Sequence, residues 1–138
     1  MWGDTLWLEP IGPWIPSHVD FIRSRNIDHL RISYANDCNY PDTRFLHEIT
    51  HLRSLDIAQI GSIDLEGIET LNQLEQLRLH VYGKAEVDLS LFTRLRKLDL
   101  AWKKTYTHLE ACSQISDLCL LSPDVQVHAS IECLHRLE

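Results

Sequence analysis

One apolar pattern, repeated along nearly the whole chain, limits what this sequence can fold into. Five times two apolar residues three apart are followed, two residues on, by a third. The copies are Ile27-x-x-Leu30-x-Ile32, Leu52-x-x-Leu55-x-Ile57, Leu74-x-x-Leu77-x-Leu79, Leu95-x-x-Leu98-x-Leu100 and Ile115-x-x-Leu118-x-Leu120, with an incomplete sixth at Leu134-x-x-Leu137. The central leucines 30, 55, 77, 98, 118 and 137 are separated by 25, 22, 21, 20 and 19 residues. The register also runs backwards. Three residues before each copy stand Ser24, Ile49, Leu71, Phe92, Cys112 and Ile131, and six before stand Phe21, Leu46, Ile68, Leu89, Leu109 and His128. Spacing by three suits a 3₁₀ or short helical segment, in which side chains eclipse at i and i+3. Spacing by two, in the closing L-x-L, suits a strand.

Units of this kind cannot bury their apolar stripe singly and must stack to share one core. The copies between residues 60 and 120, with the openings Ile63-Asp64-Leu65-Glu66-Gly67-Ile68 and Val87-Asp88-Leu89, resemble the leucine-rich repeat family. The likeness is to its short 22-residue type, found in internalins and phosphatase-regulator-like proteins. That resemblance implies an α/β fold, a right-handed solenoid with parallel strands on the concave face and short helices and 3₁₀ turns on the convex face. It also implies a protein-binding role. Positions that carry a turn asparagine in that family hold Ala35, Ile60, Tyr82, Lys103 and Pro123 here, which predicts irregular turns.

A single domain over 1–138 follows. Its opening strand lies near 5–8, since Leu8 falls 24 before Ile32, and complete repeats place strands near 29–33, 54–58, 76–80, 97–101 and 117–121. An incomplete last repeat falls near 134–138. Pro16 followed by Ser17-His18-Val19-Asp20 reads as a helix start with a capping box, predicting a helix near 17–25 and a second near 43–51. Trp2, Trp14 and Ile15 are expected over the opening strand. Residues 123–128 are assigned to the sixth back segment, which leaves the last strand edge open to self-association.

The chain has 138 residues, 44% of them hydrophobic, enough for one domain with a sizeable core. A net charge of −7 argues against a general nucleic-acid binder, which needs surplus cations, and against docking on anionic lipid. No apolar run reaches the roughly 20 residues of a membrane span. The start lacks a basic then apolar secretory signal. Four cysteines, Cys38, Cys112, Cys119 and Cys133, show no CxxC pair and suit a reducing cytoplasm.

His47-Glu48-Ile49-Thr50-His51 matches H-E-x-x-H, which on a helix presents two zinc ligands and a general base. A zinc-dependent hydrolase is the alternative this motif raises. The repeat register instead turns Leu46, Ile49 and Leu52 inward and leaves His47, Glu48 and His51 on a solvated back face. Cys112 occupies a core position, and Cys119 neighbours Asp99, which disfavours a thiolate. No glycine-rich phosphate loop is present. No catalytic residue, metal ligand or cofactor is therefore assigned, and the chain reads as non-enzymatic.

The informative constellation lies between the strand leucines. Successive strands carry Trp7, Arg31, Asp56, Arg78, Asp99 and Cys119 there, predicting an alternating charge ladder on strands about 4.8 Å apart. Asp28, Arg53, Glu75 and Arg96 alternate in antiphase beside it. Such ladders neutralise themselves and fix register. With Tyr34, His80 and Trp102 nearby they also supply residue types enriched in binding hot spots. The candidate partner-binding residues are Trp7, Arg31, Tyr34, Asp56, Arg78, His80, Asp99 and Trp102. The expected partner is another protein. Size, acidity and architecture suggest a bacterial immunity or inhibitor protein that neutralises a basic toxin domain. A fragment of a larger leucine-rich repeat adaptor is the other reading.

Overall fold

The computed structural model of the chain describes residues 7–38, 43–62, 64–82, 85–121 and 126–129. Each complete copy of the repeat supplies one strand: β1 (His29–Ser33), β2 (Ser54–Ser62), β3 (Gln76–Tyr82), β5 (Lys97–Ala101) and β7 (Asp117–Leu121). The short strands β4 (Val87–Asp88) and β6 (Tyr106–Thr107) lie in the connections, and β8 (Gln126–Ala129) follows β7. The main sheet has the order β1-β2-β3-β5-β7-β8, parallel throughout except for the β7–β8 pair. The molecule is thus mixed α/β, with a parallel sheet and little helix. Among the described residues no helix is long and apolar enough to cross a membrane.

The L-x-L register is kept across the sheet. Leu30 faces Leu55, then Leu77, Leu98 and Leu118, and Ile32 begins the parallel row Ile57, Leu79, Leu100 and Leu120. All but Leu120, which is half-buried, are buried, so the core lies along one side of the sheet. The preceding Φxx-Φxx segments close against it by a simple device. Each apolar residue donates its N–H to the carbonyl of the apolar residue three before: Ile49 to Leu46, Leu71 to Ile68, Phe92 to Leu89 and Cys112 to Leu109. The period of three in the sequence is therefore the period of the backbone hydrogen bonds. The resulting 3₁₀ turns span Arg44–Glu48, Ile68–Thr70, Leu89–Leu91 and Leu109–Ala111.

Several sequence expectations need correction. The helix expected near 43–51 is only the 3₁₀ turn Arg44–Glu48, because i−3 bonding keeps Leu46, Ile49 and Leu52 on one inward row. An α-helix would rotate that row away by its 3.6-residue turn. The first helix, α1 (Ser17–Ser24), is genuine, but its N-cap is Pro16 and no side chain caps it. Ile15 N–H donates instead to His18 Nδ1 at 3.1 Å. True α periodicity buries Val19 and Ile22 and leaves Phe21 out, beneath the Arg25 guanidinium at 5.5 Å. Trp14 covers this end by stacking on Phe45 at 4.1 Å, whereas Ile15 stays exposed; Trp2 lies outside the described residues.

Leu8 bridges Leu30 rather than Ile32, two residues from the expected register, through Leu8 N–H to His29 O and Arg31 N–H to Leu8 O, both 2.9 Å. That shift brings Glu9, not Trp7, to the start of the charged row. At the other end, residues 126–128 of the stretch assigned to a sixth back segment lie in β8 instead, and 123–125 fall outside the described residues. Strand β8 pairs antiparallel to β7, with Leu118 opposite Ala129 and Leu120 opposite Val127. His128 stands where earlier copies hold an apolar residue, so the Φxx pattern fails there. Residues 126–129 pair as a strand, and the β7 edge is covered. The last strand expected near 134–138, and Cys133, lie outside the described residues.

Candidate functional site on the open face of the sheet

Alternate residues of each strand point away from the core, and here they assemble the predicted ladder. Arg31 pairs with Asp56, Asp56 with Arg78, and Arg78 with Asp99 in the strand register. Arg31 Nε donates to Asp56 Oδ2 at 3.0 Å, and Arg78 Nη1 lies 3.6 Å from the same oxygen. Arg78 Nε is 3.4 Å from Asp99 Oδ2. The corrected first rung adds a further carboxylate, with Glu9 Oε2 3.9 Å from Arg31 Nη1. The row therefore reads Glu9, Arg31, Asp56, Arg78, Asp99, alternating in sign throughout.

Its members differ in burial. Asp56 is 2% exposed, while the Arg31 and Arg78 side chains keep 32% and 38% of their surface. Burial pushes the Asp56 carboxyl up from its ordinary value, against the pull of Arg78 and Arg31. Asp99 goes the other way. Its partial burial is outweighed by a hydrogen bond from His80, by Arg78 and by the Cys119 thiol, which together hold it below the usual value. The His80 Nε2 to Asp99 Oδ1 distance is 2.7 Å. His80 stands opposite Ala58 in register and reaches Asp99 diagonally. Desolvation lowers His29, whose Nε2 is 3.0 Å from Asp28.

The antiphase row is also formed. Arg53 Nη2 contacts Glu75 Oε2 at 2.6 Å, and Arg53 Nη1 lies 3.8 Å from Asp28 Oδ2. The backbone carries this register on, with Arg53 N–H to Asp28 O, Glu75 N–H to Arg53 O and Arg96 N–H to Glu75 O, each 2.8 Å. The aromatics divide. The Trp7 ring lies 5.4 Å from His29 and receives the Arg31 guanidinium at 5.1 Å. Tyr34 is exposed at the end of β1. Trp102 is half-buried against the core, edge-on to Tyr106 at 6.3 Å, so only part of its ring faces outward. Glu9 and Cys119 are participants that sequence reasoning missed or passed over. Glu9 sits before the first repeat, and nothing in its neighbours marks its register.

The H-E-x-x-H residues are not brought together. His47 and Glu48 are exposed, and His51 follows the 3₁₀ turn rather than lying on it. At about three residues per turn, positions i and i+4 sit far apart around the axis. His51 Nε2 is 2.8 Å from Ile27 O, and His47 Nε2 is 4.0 Å from Glu69. Among the described residues no group of three or more His, Cys, Asp or Glu is placed to hold a metal ion. Cys112 is buried, its thiol pushed up to about 11 by desolvation and by Glu110 and Asp88. Cys38 is fully buried, and burial pushes its thiol up too.

The surplus acid lies elsewhere. Glu48, Asp64, Glu66, Glu69, Glu86 and Glu110 are exposed on the connecting segments, away from the ladder. A groove of about 450 Å³ there is lined by Glu86, Val87, Asp88, Thr105 and Thr107. Asp88 is held below its ordinary value by hydrogen bonds from Ser90 and His108. A scan against protein-family models finds no match to this chain, and searches of curated proteins and of solved structures find none either.

Proposed function

We propose that this chain is a leucine-rich repeat solenoid that binds another protein through the concave, open face of its sheet and catalyses no reaction. One observation carries this reading: the row Glu9, Arg31, Asp56, Arg78, Asp99 is fixed by strand register on a face with no layer packed over it among the described residues, and its guanidinium groups remain about one third exposed. A polar row held this rigidly costs little ordering entropy on binding and discriminates partners by charge position. The net charge of −7 favours a basic partner through long-range steering. A toxin domain neutralised by a cytoplasmic immunity protein is the partner class we favour.

The test is quantitative affinity capture with the full chain and two variants. Arg31→Ala/Asp56→Asn/Arg78→Ala strips the row without leaving a buried carboxylate unpaired. Glu86→Gln/Glu110→Gln alters the connecting side. A protein retained by the parent and the second variant but lost from the first supports the concave face. Equal retention by all three places the partner elsewhere.

A further inference from the structure

Arg78 differs from every other charge in the row in how it is held. Arg31 is fixed on three sides: its Nε donates to Asp56 at 3.0 Å, Glu9 lies 3.9 Å from Nη1, and the Trp7 ring lies beneath it at 5.1 Å. Asp99 is held by other donors as well, with His80 at 2.7 Å on Oδ1 and the Cys119 thiol as a further donor. Arg78 is left with two long contacts, 3.6 Å to Asp56 and 3.4 Å to Asp99. Its Nε is buried and has no hydrogen-bond partner. A guanidinium has five donors in a fixed fork, so Arg78 is a placed but under-used cation near the middle of the sheet.

Asp56 adds the second element. Arg31 Nε and Arg78 Nη1 converge on the same oxygen, Asp56 Oδ2. The carboxylate beneath them is 2% exposed. What the sheet presents to solvent at this point is therefore two guanidinium groups converging over a hidden carboxylate, flanked on either side by the part-exposed carboxylates of Glu9 and Asp99.

We infer that this pair is a seat for a carboxylate side chain, an Asp or Glu on the partner protein, received by Arg78 with Arg31 alongside. The inference rests on the concave-face reading and names the chemistry that face selects. It is compatible with a basic partner, because net charge acts at long range and the seat acts on one residue. An incoming carboxylate meets the solvent-facing end of Arg78, whose side chain keeps 38% of its surface, rather than the buried Nε. It meets donors already held in place, so a charge-assisted, forked contact forms with little reorganisation.

The experiment uses random twelve-residue peptides displayed on phage and selected against the full chain at physiological salt. The selected peptides are then synthesised and measured by fluorescence anisotropy. We expect them to share an Asp or Glu whose change to Asn or Gln weakens binding to the parent chain at least tenfold, about 1.4 kcal/mol. The same peptide change should have under twofold effect on Arg78→Gln. Arg78→Lys, which keeps the charge but loses the fork, should fall between. Circular dichroism and thermal melting confirm that each variant is folded. Peptides lost on Arg31→Ala/Asp56→Asn/Arg78→Ala but indifferent to both Arg78→Gln and their own acidic residues would overturn the carboxylate seat and leave the concave face standing. Peptides that bind every concave-face variant as well as the parent would overturn both. Failure to select any acidic peptide would also overturn the seat.

Discussion

Asp56 and Asp99 stand on one row, two strands apart, and respond to acid in opposite directions. Asp99 is held below its unfolded value, so the stability it contributes is present above that value and is lost as pH falls through the depressed one. Asp56 is raised by burial, so the native state takes up its proton more readily than the unfolded chain. As pH falls from above the raised value toward 3.8, Asp56 makes the fold more stable. Urea unfolding between pH 3 and 7 should show the stability of the parent chain rising relative to Asp56→Asn as pH falls through that window. A constant difference between the two would contradict the shift. The buried carboxylate also makes the row asymmetric to mutation. Arg31→Ala/Arg78→Ala at pH 7 leaves Asp56 uncompensated and should cost about 3 kcal/mol, at the low end for buried pairs because both guanidinium groups are partly solvated. Adding Asp56→Asn should restore most of that loss, since removing the whole buried set is often close to neutral.

The connecting segments are built more tightly than their short lengths imply. Gly67 has φ +97° and begins the 3₁₀ turn Ile68–Thr70; a Cβ there would sit 3.0 Å from Thr43 O. Thr43 is itself fully buried, its hydroxyl 2.7 Å from Glu66 O and 3.0 Å from Asp64 O. Gly67→Ala therefore meets both backbone strain and a backbone oxygen, and should destabilise by about 1–3 kcal/mol in denaturant titration. In the strands, Leu77 is completely buried in the middle of the sheet, and Leu77→Ala should cost about 2–5 kcal/mol. The strands were legible from sequence because the L-x-L pairs, Leu120 apart, are buried by the same register. The Arg31, Asp56, Arg78, Asp99 row followed from it directly. The His80 to Asp99 contact did not, because it runs diagonally across strands. Strands β4 and β6 are only two residues long, too short to show a periodicity. The opening strand was misaligned by two residues because Trp7-Leu8 repeats only part of the pattern, and it was the Leu8 bridge that brought Glu9 to the ladder.

Along the whole molecule each strand of the main sheet touches only its neighbours in the order β1-β2-β3-β5-β7-β8. Damage at one strand should therefore spread by adjacency. In hydrogen exchange, Leu77→Ala should speed exchange in β2 and β5 as well as β3, and change β8 least. A uniform increase would mean that the sheet opens as a single unit. Charge is distributed on the same scale. The ladder alternates in sign, while further exposed carboxylates gather on the connecting side. Neutralising Glu66, Glu86 and Glu110 together should slow association with a basic partner and leave dissociation unchanged, as stopped-flow kinetics would measure.

The reversal at β8 changes what one unit hands to the next. A parallel strand offers its neighbour the same evenly spaced hydrogen-bond pattern that it received, so each unit is a mould for the next. An antiparallel strand presents a different rhythm of narrow and wide pairs. The β7–β8 pair is thus a break in the grammar of the repeat. Extra units spliced between β3 and β5 would find matching moulds on both sides and lengthen the sheet, whereas the same units joined beyond β8 would meet a surface that no longer speaks their pattern.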